Sequence, residues 1–83
     1  MSLVPSFLLR NEHAPADCAA TFAAWIGFDS PLRHTRAPSS CLAGGHELWW
    51  RVDAEDAGSA LELLPRYLRS RTCVARIRDV EIP

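Results

Sequence analysis

Residues 41–52 read CLAGGHELWWRV, and this stretch predicts the centre of the fold. Two glycines between apolar runs are typical of a β-hairpin, because glycine accepts the positive φ that tight turns require. Side chains alternate between the two faces of a sheet, so the adjacent Trp49 and Trp50 are expected on opposite faces. The more apolar set, Leu48, Trp50 and Val52, is expected to enter the core. Trp49 is then left on a face that something else must cover.

Length and composition predict one small folded domain spanning residues 1–83. The chain has 83 residues, 48% of them apolar, and a net charge of −1. Such a weak charge argues against a nucleic-acid partner or an anionic membrane surface. With no membrane-spanning run and no secretion signal, we expect a cytoplasmic protein whose three cysteines are reduced thiols. Met1-Ser2-Leu3 is interpreted as a cloning remnant.

The remaining segments predict two helices and three further strands. Residues 6–13 and 72–82 alternate as strands, and residues 38–42 are expected to form an edge strand behind Pro38. In the strand of residues 72–82, Cys73 is expected to face the helices. A helix is predicted from Ala14 towards Gly27, and another from residue 53 to residue 71. Pro65 should kink or break the second helix, because proline lacks the amide hydrogen that a helix interior needs.

The element order β-α-β-β-α-β predicts an α+β ferredoxin-like plait. With right-handed crossovers, this is a four-stranded antiparallel sheet of order 4-1-3-2 with two helices on one face. The other sheet face would be open and would carry Glu47, Trp49 and Arg51. Covering roughly 100 Å² of tryptophan is worth about 2.5 kcal/mol. We therefore predict a homodimer formed through the open sheet face.

Three short patterns carry a family resemblance. They are His13-x-Pro15-x-x-Cys18, Cys41-x-x-Gly44-x-His46-x-x-Trp49 and Leu64-Pro65-x-x-Leu68 followed by the strand of Val74. With these patterns, residues 6–83 resemble small bacterial ferredoxin-like proteins of the dimeric α+β-barrel type. That broad group includes muconolactone isomerases and small heme-free monooxygenases, and its narrower relatives are uncharacterised. The resemblance implies a fold and a dimer but carries over no catalytic residue.

Four residues form a candidate metal site: His13, Cys18, Cys41 and His46. Their spacings, His-x4-Cys and Cys-x4-His, are mirror images. In the predicted sheet the strand ending at His13 neighbours the strand beginning at His46, so the two imidazoles are expected to approach each other. Two imidazoles and two thiolates suit zinc, copper(I) or nickel. The alternative is two packed thiols and two partly exposed histidines, since no Cys-x2-Cys pair is present.

The function expected first is a homodimeric small-molecule-binding or accessory module, with His13, Trp49 and Arg51 as ligand-binding residues. The alternatives are a transition-metal-binding protein and a small cofactor-independent enzyme. The enzyme hypothesis rests on Glu12 and His13 as acid–base groups, or on a Cys41–His46 nucleophile pair. An RNA-binding sheet is disfavoured because the first strand lacks a paired aromatic on the open face.

Overall fold

The computed structural model describes residues 4–83, so the interpretation of Met1-Ser2-Leu3 lies outside the described residues. The described residues form three strands and three short α-helices. In chain order they are β1 Ser6–Glu12, α1 Cys18–Ala23, β2 Glu47–Asp53, α2 Ala57–Leu61, α3 Arg66–Arg69 and β3 Thr72–Ile77. Two short 3-10 helices, Pro15–Asp17 and Cys41–Ala43, precede α1 and β2. Within residues 4–83, no helix has the length and apolarity needed to cross a bilayer.

The sheet has three antiparallel strands in the order β2-β1-β3, so the predicted four-stranded ferredoxin-like plait with two helices on one face is wrong. Residues 38–42 form a single bridge, Ser39 to Leu48, in place of the predicted edge strand. Side chains compete here for backbone donors, because Ser39 Oγ accepts from Cys41 N at 3.1 Å and Ser40 Oγ accepts from Glu47 N at 3.1 Å. The chain then coils as a 3-10 helix and turns at Gly44, where φ is 93°.

The helices are shorter than predicted. The helix expected from Ala14 towards Gly27 is regular only over the six residues of α1. The break expected at Pro65 is confirmed, since α2 ends at Leu61 and α3 begins at Arg66. Pro65 has no amide hydrogen to donate, and it lies immediately before the first residue of α3.

The core lies on one face of the sheet, beneath α2 and α3. Its buried apolar residues are Phe7, Leu9, Leu48, Trp50, Val52, Ala60, Leu64 and Leu68. The prediction that Leu48, Trp50 and Val52 enter the core is therefore confirmed. Cys73 was expected to face the helices, and that is wrong, because the register pairs it with Arg10 and its side chain is exposed.

The opposite sheet face carries the side chains of the three strands that point away from the core. Trp49 is half-buried there, and Arg51 is exposed and pairs with Asp79 at 3.1 Å. Leu8, also on this face, is 36% exposed. A homodimer through this face stays a prediction.

A carboxylate caps the start of α2 and gives a pH-dependent contribution to stability. Asp56 Oδ1 accepts from Ser59 N at 2.7 Å, and this backbone hydrogen bond lowers the pKa of Asp56 from its ordinary value of 3.8. A lowered folded-state pKa stabilises the fold above the unfolded value, and the benefit is lost as the pH falls through the folded value. We expect urea denaturation to show wild type more stable than Asp56→Ala at pH 7. The difference in unfolding free energy between the two proteins should narrow below pH 3.8. Asp56→Asn, which keeps the accepting oxygen without the charge, should retain most of the cap at every pH. A gap that stayed constant down to pH 3 would contradict the prediction.

Candidate metal centre

The four candidate ligands meet at one end of the β1–β2 pair. The last residues paired across these strands are Glu12 and Glu47, and His13 N continues the ladder by donating to His46 O at 3.1 Å. The antiparallel register thus places the two histidines opposite each other. Cys18 enters as the first residue of α1, and Cys41 as the first residue of its 3-10 helix. One ligand atom from each of the four residues can be chosen so that all lie within 4.8 Å of one another.

The turn between Cys41 and His46 depends on Gly45, the second of the two glycines in the CLAGGHELWWRV stretch. Gly45 N donates to Ser40 O at 2.9 Å. A Cβ added at Gly45 would meet Ser40 Oγ and lie 2.8 Å from Ser40 Cβ, so the backbone can close here only without a side chain. This close approach returns the chain into β2 with His46 directly after the turn.

His13 is held in a defined tautomer by a buried asparagine. Its Nδ1 lies 2.9 Å from Asn11 Oδ1, and Asn11 is fully buried. The amide orientation follows from its other contacts, because Asn11 Nδ2 donates to Arg71 O at 3.4 Å and to Thr72 Oγ1 at 3.5 Å. Asn11 therefore presents its oxygen to the ring, and His13 carries its proton on Nδ1. His13 Nε2 keeps a free lone pair and lies 3.5 Å from Cys41 Sγ.

His46 has an unsatisfied polar atom. Its Nδ1 is buried and has no hydrogen-bond partner among residues 4–83. The ring packs edge-on against His13, with centroids 5.6 Å apart and planes at 66°. Buried polar atoms in folded proteins nearly always have a partner, and a metal ion beside the two thiols is one group that this ring nitrogen could bind.

The two thiols of the cluster lie beside each other. Cys18 and Cys41 are half-buried and free within the described chain. Burial raises the pKa of the Cys18 thiol, and a hydrogen bond and charge repulsion from Cys41 raise the pKa further. Two adjacent thiolates are therefore unfavourable without a cation between them.

The other predicted site residues do not share this cluster. Trp49 and Arg51 lie on the outward sheet face, whereas His13 is joined to the core-facing Asn11. The structure does not bring Trp49 and Arg51 together with His13 within one chain, and the small-molecule site of these three residues stays a prediction. Glu12 is exposed and pairs with Arg10 at 3.1 Å, and its acid–base action with His13 stays a prediction. The hydrogen-bond partner of Cys41 is His13, not the expected His46.

Asn11 is the site residue that sequence reasoning missed. Asn11 follows Phe7 and Leu9 on the face of β1 that points into the core, and all three residues are buried. A polar amide at a core position of a strand is uncommon, because burial without partners is costly. That alternation was visible in the sequence and would have marked Asn11 as a buried polar residue that needs partners.

The chain has been compared with protein-family models, with curated proteins and with solved structures, and none of the three comparisons finds a match. The resemblance to dimeric α+β-barrel proteins thus carries no argument beyond the sequence patterns, and the fold that it implied is not the one observed. The chemistry of the site rests on the geometry of its own residues.

Proposed function

We propose that this protein is a zinc-binding domain in which His13, Cys18, Cys41 and His46 hold one structural Zn²⁺. The observation that carries the proposal is the convergence of four ligand atoms within 4.8 Å from four separate segments of the chain. Two thiolates and two imidazoles are a common structural zinc set, and they balance the charge of the ion. Four protein ligands leave no open position, which favours a structural role over a catalytic one.

The distances support tetrahedral zinc. Bond lengths of about 2.0–2.1 Å to nitrogen and about 2.3 Å to sulfur place neighbouring ligand atoms roughly 3.3–3.8 Å apart. His13 Nε2 and Cys41 Sγ already lie 3.5 Å apart. The other pairs, all within 4.8 Å, need to close by about 1.5 Å at most to reach this geometry. A bound ion would also supply the buried His46 Nδ1 with the partner it lacks.

The metal would connect the least regular part of the chain to the sheet. Between β1 and β2, residues 13–46 contain only α1 and two 3-10 helices. Zinc bonds would tie the start of α1 and the 41–46 turn to the ends of β1 and β2. A domain of 83 residues has a small core, and structural metals commonly supplement such cores. Reduced thiols are required, in keeping with the expected cytoplasmic location.

A second candidate function is nucleophilic catalysis by Cys41. Cys41 Sγ lies 3.5 Å from His13 Nε2, and His13 Nδ1 lies 2.9 Å from Asn11 Oδ1, which is a Cys-His-Asn arrangement. This alternative gives no role to Cys18 or to the unpartnered His46. Zinc accounts for all four residues, so the geometry favours the metal.

The test is metal content and cobalt spectroscopy on the purified full chain. We expect equimolar zinc by elemental analysis, and Co²⁺ in its place should show the intense visible bands of a tetrahedral thiolate site. Cys18→Ser should abolish both signals. Cys73→Ser is the matched control, because Cys73 is exposed and outside the cluster. Absence of metal, together with alkylation of Cys41 by iodoacetamide in preference to Cys18 and Cys73, would instead support the nucleophile.

A further inference from the structure

A second concave site lies away from the metal cluster, between α1, the loop of residues 30–37 and the core-facing side of β2. Its volume is about 340 Å³. Trp50 and Leu48 form the buried floor, and Trp25, Leu32 and Phe22 form the walls. The rings of Trp25 and Trp50 contact each other, with centroids 5.7 Å apart and planes at 45°, and both residues line the space. Its volume is at the lower end of the range for small-molecule sites, which are about 300–1,000 Å³.

One cation stands at this cavity without a partner. Arg33 lines it and is half-buried. In the part of the chain that the structure describes, its guanidinium makes no ion pair and no hydrogen bond. The described lining contains no aspartate or glutamate. A half-buried, always-charged group beside aromatic surface is suited to a carboxylate, which a guanidinium binds with two parallel hydrogen bonds.

The backbone next to Arg33 is strained. His34, which also lines the cavity, has a φ of 66°. This left-handed conformation is uncommon for residues other than glycine, and such residues concentrate at binding and active sites. The left-handed residue thus lies at the cavity, directly after the unpaired cation.

We infer that this cavity binds a small aromatic monocarboxylate, with its ring packed against the Trp25–Trp50 pair and its carboxylate on Arg33. The apolar floor excludes a highly charged ligand, and the single cation selects one negative charge. The site shares no residue with the zinc cluster, so it stands or falls independently of the proposed metal.

The experiment is NMR titration of the full chain with 3-phenylpropionate. The indole N–H signals of Trp25 and Trp50 should shift saturably, whereas that of Trp49, on the other sheet face, should not. The neutral analogue 3-phenylpropanamide should bind about tenfold or more weakly, because it cannot form the charge-assisted pair with Arg33.

Two arginine variants complete the test. Arg33→Gln should weaken binding of 3-phenylpropionate by about tenfold or more, with an unchanged melting temperature. Arg36→Gln is the matched control, because Arg36 is exposed on the same loop and does not line the cavity; it should change affinity by less than about twofold. Equal binding of the acid and the amide, an unaffected Arg33→Gln, or no saturable shift up to about 10 mM would each overturn the inference.

Discussion

Chelation of the proposed zinc ion is expected to lower the melting temperature of this protein by about 12–32 °C. A ligand at 100 to 1,000 times its dissociation constant stabilises the folded state by about 3–4 kcal/mol. For a domain of this size, each kcal/mol shifts the melting temperature by about 4–8 °C. The measurement is a thermal melt followed by circular dichroism, with and without excess EDTA, and with zinc restored.

Ligand variants separate loss of zinc from other effects of the chelator. Cys18→Ser and His46→Ala should melt where the chelated wild type melts, and EDTA should not lower their transitions further. The matched controls are Cys73→Ser and His34→Asn, which change the third cysteine and the third histidine outside the cluster. Asparagine is chosen at residue 34 because it tolerates the left-handed backbone there. An unchanged melting temperature in EDTA, with no metal in the purified protein, would end the zinc proposal.

Strand periodicity predicted much of the sheet because its signal is local. The alternation in β2 correctly placed Trp50 in the core and Trp49 outside it. The neighbours of β1 were also predicted correctly. In the predicted order, the strand that ends at Val52 and the strand of residues 72–82 lie on either side of the first strand, as β2 and β3 do in the structure. Pro65 gave an equally local signal, and the helix breaks there.

The failures occurred where side chains compete with the backbone ladder. Ser39 and Ser40 accept backbone hydrogen bonds through their hydroxyl groups, and the chain coils after one bridge. Periodicity does not register that competition, because both serines look like ordinary strand-edge residues. The face of Cys73 was misjudged for a related reason. In residues 72–78, both alternating faces carry a mixture of apolar and polar side chains. Only the register with β1 therefore decides which face points into the core.

The candidate site was partly visible in the sequence. Four ligands, two His and two Cys at mirrored spacing, were visible in the sequence. Whether they meet depended on the pairing of His13 with His46 across two strand ends. The orienting role of Asn11 needed the side-chain geometry, because its contacts reach residues 71 and 72 in β3 and the turn before it. Long-range contacts of this kind leave no spacing signature in one sequence.

Replacing Asn11 is expected to lower zinc affinity by about 10- to 100-fold, although Asn11 itself binds no metal. Asn11→Leu removes the acceptor that holds the Nδ1 proton of His13 and so frees the ring to rotate or change tautomer. It also leaves the buried Nδ1–H of His13 without its acceptor and removes the donor bonds to Arg71 O and Thr72 Oγ1, so we expect a loss of about 1–3 kcal/mol in unfolding free energy. Affinity is measured by competition with a chromophoric chelator, and stability by urea denaturation of the metal-loaded protein.

A second substitution distinguishes positioning of His13 from simple destabilisation. Asn11→Asp keeps an oxygen at the same place, and a carboxylate accepts from Nδ1–H at least as well as an amide. It loses the Nδ2 donor and buries a charge, so it should be less stable than wild type yet bind zinc within about tenfold of wild type. Leu64→Val, a core substitution outside the cluster, should lower stability and leave affinity unchanged. If Asn11→Asp lost as much affinity as Asn11→Leu, or if Leu64→Val lost affinity in proportion to its stability, Asn11 would be a packing residue and His13 would need no orienting partner.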